Sequence, residues 1–149
     1  MESIKDREYK EEMELRSSFN DKYRETLQDQ RDELIQIETE FCVEALQIKE
    51  RPVQARINFE RQARLLALSD DFDGALAYRR KGEIAQEEAN AQQRERLDKV
   101  YASIRKQAYQ RHRLQVSTIN QSFQFEFNKH KQAFENLYES ARKTLRISI

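Results

Sequence analysis

In 149 residues the chain carries two glycines, Gly74 and Gly82, and a single proline, Pro52. Glycine supplies positive-φ turn positions and proline the fixed bends of tight loops, so a chain this short of both can make few turns. Sheets need frequent turns and are excluded, which leaves long helices. Charged residues make up 36% and apolar ones 38% of the chain. That balance suits solvent-exposed helices and cannot fill a thick core. Disorder would also suit such polarity, but the apolar residues recur at helical spacing among good helix formers.

From Leu15 the apolar steps are three, four or seven residues: Leu15, Phe19, Tyr23, Leu27, Leu34, Ile37, Phe41, Ala45, Ile48. This is one helix face. It continues through Ala55, Phe59, Ala63 and Leu66, and Pro52 is expected to kink the helix or to start a new one. The segment LALSDDFDGALAYRRKG then breaks the pattern. Ser69 or Asp70 can cap a new helix there, and Asp71 and Asp73 suit its positive N-terminal end. Beyond it, Leu97, Ala108, Ile119, His130 and Ala141 recur every eleven residues, which favours nearly straight packing. The expected fold is all-α: an elongated antiparallel, coiled-coil-like hairpin over 1–149, with arms at about 3–68 and 74–146 and a hinge at 69–73.

Antiparallel helices of equal rise that fold back near residue 71 pair residues whose numbers total about 142. Phe19 then faces Phe123, Tyr23 faces Ile119, Leu34 faces Ala108, Phe41 faces Tyr101, Ala45 faces Leu97 and Leu66 faces Leu76. Gln30 falls opposite His112, a polar layer able to fix register. Arg94 and Asn90 fall opposite Ile48 and Pro52, so the middle is expected to be the loosest part. Residues 1–70 carry about five more acids than bases and residues 71–149 about five more bases than acids, so the two arms attract.

Motifs for chemistry are missing. No phosphate-binding loop, nucleophile elbow or HExxH pair occurs, so no enzyme activity, cofactor or metal is expected. His112 and His130 lie about 27 Å apart by helical rise, too far to share an ion. Cys42, the lone cysteine, reads as a small buried side chain beside Phe41. It excludes an internal disulfide and, with no apolar leader after Met1, favours a cytoplasmic protein. Zero net charge argues against nucleic acid as the partner, and no apolar run is long enough for a membrane span. A membrane-surface dimer of curved helices fits poorly with that neutrality and the near-straight period.

Two surface features point to partners. A second apolar line on the first arm, Ile35, Cys42, Leu46, Val53, Ile57 and Leu68, widens the apolar face beyond what one neighbouring helix covers. From it Ile35, Leu46, Val53 and Ile57 are the candidate apolar contact residues. The stretch from Lys99 to Phe125 contains no acid, and Arg105, Lys106, Arg111 and Arg113 are its candidate basic contact residues for an acidic surface such as tubulin. The competing reading of those bases is a solvated face that complements the acidic arm.

The hinge residues Arg64, Leu65, Ala67, Phe72, Ala75, Arg79, Glu83, Glu87 and Glu88, with aromatic steps such as Phe19 to Tyr23, make this chain resemble the large coiled-coil families of flagellated protists. Several members of those families are cytoskeletal or axonemal. The resemblance implies a structural microtubule-associated protein of a cilium or flagellum, with tubulin or other cytoskeletal proteins as partners and self-association as a further option. A helical adaptor that receives partner helices on the second apolar line is the alternative.

Overall fold

The computed structural model describes residues 3–148. It is all-α, with α1 over Ile4–Glu50, α2 over Gln54–Leu68 and α3 over Phe72–Ser148. A first arm bent between α1 and α2 packs antiparallel on α3 as a hairpin. At the start of α1, Ser3 and Asp6 form a reciprocal cap: the Asp6 N–H donates to Ser3 Oγ at 3.2 Å and the Ser3 N–H to Asp6 Oδ2 at 3.4 Å.

The hinge is two caps back to back. At the end of α2, the Asp71 N–H donates to the Leu66 carbonyl at 2.9 Å and the Asp70 N–H to the Ala67 carbonyl at 3.2 Å, the two bonds of a Schellman motif. Asp70 occupies the left-handed position, with φ 64°. The cap of α3 is Asp71, whose Oδ1 accepts the Gly74 N–H at 3.0 Å. Ser69 and Asp70 therefore terminate the helix before the turn and do not cap the one after it, a correction to the assignment from sequence. Asp70→Gly is expected to raise stability by about 0.5–1 kcal/mol, because a side chain is strained in the left-handed region. Asp71→Ala is expected to lower it by about 1 kcal/mol through loss of the cap. Opposite shifts of the urea midpoint would check both.

The contacts cluster into two units, residues 3–33 with 108–148 and residues 34–107. In the first, Phe19 lies against Phe123 with ring centroids 4.4 Å apart, and Tyr23 and Phe127 extend the aromatic run. Ile119 and Phe134 are buried there, and the His130 ring packs on Phe134. In the second, the Phe41 and Tyr101 rings meet edge to face at 5.2 Å, and Ile37, Ala45 and Tyr101 are buried. Phe19 with Phe123, and Phe41 with Tyr101, keep the register total of 142.

Past Pro52 the register changes. Phe59 meets Tyr78 and Val53 meets Gln86, totals of 137 and 139. Residues 51–53 are not helical, and Val53 is extended at φ −78°, ψ 152°. An extended residue rises about 3.1–3.3 Å against 1.5 Å in a helix, so a non-helical link of three residues advances the first arm by up to roughly 5 Å, close to one helical turn. That lowers the total by between three and four, within the drops of three and five seen at Val53 and Phe59. Gly82 marks a close approach of α3 to α2: a Cβ there would stand 3.3 Å from Phe59 Cβ and 3.4 Å from the Arg56 carbonyl oxygen.

Candidate functional site

Pro52 removes one backbone donor and drives Arg51 out of the helical region, so the break leaves backbone groups without helical partners. Gln86 of α3, 6% exposed, meets two of them. Its Oε1 accepts the Val53 N–H at 2.9 Å, while its Nε2 donates to the Arg51 carbonyl at 3.1 Å and to Asn90 Oδ1 at 2.8 Å. The middle of the first arm, expected to be loose, is thus stapled. Gln86 escaped the sequence reading because a constant register placed Asn90 and Arg94 there instead.

The polar layer inferred from Gln30 and His112 is present in the first unit. Both are buried, and Gln30 Nε2 donates to the His112 carbonyl at 3.1 Å and to Gln115 Oε1 at 3.0 Å. Glu33 joins it, with Oε2 2.9 Å from His112 Nε2 and Oε1 accepting from Arg111. Hydrogen bonds first from His112 and then from Arg111 hold the Glu33 carboxyl below the usual carboxylate value. The buried Nε2 of His130 has no hydrogen-bond partner, and Glu11 Oε2 lies 3.7 Å away.

In the second unit Arg105 grips Glu38 bidentately, Nε to Oε1 at 2.6 Å and Nη2 to Oε2 at 3.1 Å, and this lowers the Glu38 pKa. The guanidiniums of Arg94 and Arg105 also lie 4.8 and 4.9 Å from the Phe41 ring centre. Of the four candidate basic residues, Arg105 and Arg111 are therefore engaged with acids of the other arm. Lys106 and Arg113 are exposed and form no ion pair among the described residues.

These shifts set a pH dependence. Glu33 and Glu38 are depressed, so their contribution is complete above the unfolded value near 4.5 and is lost as the pH falls through the lower folded values. Tyr101 is raised, by burial first and then by a hydrogen bond to Glu44, and Tyr138 by its bond to Glu8 first and then by burial. Their contribution is complete below about 10 and is lost as the pH rises through the higher folded values. Urea midpoints should therefore fall below pH 4.5 and above pH 10, and Glu33→Gln should flatten the acid limb.

The candidate apolar residues divide. Ile35 and Leu46 are 64% and 58% exposed on α1, and Cys42 between them is exposed, contrary to the buried reading of that thiol. Val53, the last residue of the 51–53 link, and Ile57 beyond it are half-buried. Thr39 completes a spacing of four, three and four from Ile35 to Leu46, and its hydroxyl donates to the Ile35 carbonyl at 2.8 Å. Near the hinge, α2 and α3 leave an open groove of about 550 Å³ that the sequence reading did not find. Among the described residues no group of three or more His, Cys, Asp or Glu side chains is placed to hold a metal, and no helix is long and apolar enough to cross a membrane.

Protein-family models, curated proteins and solved structures, each compared with this chain, give no match. Similarity assigns no family. The exposed apolar line on α1 and the hinge groove are thus the two surfaces from which function is read.

Proposed function

We propose that this chain is a non-catalytic structural protein of the cytoskeleton, a helical hairpin that associates with microtubules in the axoneme of a cilium or flagellum. The observation that supports this reading is the apolar line of Ile35, Cys42 and Leu46, left exposed on α1 while Ile37 and Ala45 fill the face against α3. Exposed side chains repeated along a helix give many weak contacts that add along a filament, with no pocket required. Lys106 and Arg113 supply long-range attraction to an acidic filament surface. The resemblance of the hinge and arms to cytoskeletal coiled-coil families supports the axonemal setting.

Co-sedimentation with stabilised microtubules tests the proposal. The full chain is expected to pellet, and Ile35→Glu with Leu46→Glu to abolish pelleting with helicity unchanged, because a charge enters a dry contact. Lys106→Glu with Arg113→Glu should weaken binding at low salt and matter little above about 0.1 M, where the Debye length is ~10 Å. A wild-type chain that stays in the supernatant at low salt overturns the microtubule reading. The coiled-coil spacing of Ile35, Thr39, Cys42 and Leu46 favours a second reading, an adaptor that receives a partner helix on this line.

A further inference from the structure

The groove beside the hinge lies far along the first arm from Ile35 and Leu46 and stands apart from the filament contact. Its floor is Ala63 and Ala67 of α2 and Ala75 of α3, small residues that leave the space between the two helices unfilled. Phe72 and Leu76, each 63% exposed, form an apolar wall. The rims are cationic, with Arg64 on α2 and Arg79 on α3. Arg64 forms no ion pair among the described residues, and Arg79 reaches Glu83 only at 3.9 Å. The one lining carboxylate, Glu60, is held by Arg56 at 3.0 Å.

We infer that this groove is a docking site for a short amphipathic helix whose apolar stripe is flanked by acidic residues. The stretch from Glu60 to Ala67 covers roughly 10 Å, two helical turns, which matches apolar side chains at i, i+4 and i+7 of an incoming helix. Alanines let its backbone approach closely, and Phe72 and Leu76 bury their exposed area against its stripe. One guanidinium on each rim then faces a carboxylate flank on each side of the stripe. A basic flank would meet two like charges, so the rim selects the sign of the partner.

Fluorescence anisotropy on the full chain tests this with two labelled peptides of about 18 residues, long enough to be helical in isolation. Both carry leucine at i, i+4 and i+7, one flanked by glutamate and one by lysine. The glutamate peptide is expected to bind saturably, with a Kd of roughly 10–100 μM, and the lysine peptide about tenfold more weakly. Phe72→Ser with Leu76→Ser should remove binding of the glutamate peptide. These side chains are mostly exposed, so circular dichroism should show the hairpin intact. Arg64→Glu with Arg79→Glu should invert the preference and rescue the lysine peptide. Equal binding of the two peptides, no binding of either up to about 1 mM, or binding unaffected by the Phe72 and Leu76 changes overturns the inference. So does sedimentation that shows a dimer broken by those same changes, since the occupant would then be a second copy of the chain.

Discussion

Phe134→Ala is expected to lower the stability of the hairpin by about 3 kcal/mol, the low end of the range for removing a buried phenyl ring. Phe134 is 3% exposed and packs on the His130 ring, so its removal opens a cavity beside a histidine whose Nε2 already lacks a partner. The low end applies because a hairpin has only two layers, and water reaches most cavities in its seam. A loss of this size is large against the ~5–15 kcal/mol that holds an ordinary domain together. Phe125→Ala, at a site 66% exposed on the same helix, is the control and should move stability by less than about 0.5 kcal/mol. Urea melts followed by circular dichroism would check both. Equal shifts for the two variants would show that the seam does not run where the buried residues place it.

Gln86→Leu is expected to cost about 2–4 kcal/mol, although leucine is close to glutamine in size. The substitution leaves the Val53 N–H and the Arg51 carbonyl without their partner, and each such group costs about 1–3 kcal/mol where water cannot reach it freely. Gln86→Glu separates the two bonds: a carboxylate still accepts from Val53 but cannot donate to Arg51. Stability is expected to fall in both, and by at least as much in Gln86→Glu, because the carboxylate is buried and one of its oxygens faces the Arg51 carbonyl. Amide exchange at Val53 gives an independent measurement, with protection kept in the glutamate variant and lost in the leucine variant. If both variants melt like the wild type, water fills the break and Gln86 is dispensable.

The parts legible in the sequence are those that follow from constant helical rise. Phe19 meets Phe123, Gln30 meets His112 and Phe41 meets Tyr101, because a pairing fixed at one point propagates unchanged through regular helix. It stops propagating where the rise changes. Pro52 announced a break, but the shift depends on how many residues leave the helix, and one proline does not specify that number. Gln86 and the hinge groove lie beyond the break and were missed for that reason. The hinge caps were misassigned by one or two residues, since Ser69, Asp70 and Asp71 are all good caps and only the left-handed Asp70 decides among them. The opposed charge of the arms anticipated pairs such as Arg105 with Glu38. Which cations stay unpaired depends on the reach of individual long side chains, which composition does not encode.

The three-residue link has a kinetic consequence. Phe59 and Tyr78 are 19 residues apart and Phe19 and Phe123 are 104 apart, so closing the outer pair first costs roughly 1.5 kcal/mol more in loop entropy. Folding therefore starts at the hinge and zips outward, and α2 docks before α1. When the zipper reaches residue 53, Pro52 has taken Arg51 out of the helix, and the phase of α1 on α3 depends on how far the link extends. Gln86 fixes that extent, because its two bonds close only when the Arg51 carbonyl and the Val53 N–H both reach it. Without those two bonds the link is held to no one length, and the outer hairpin has to set its register by its own seam contacts.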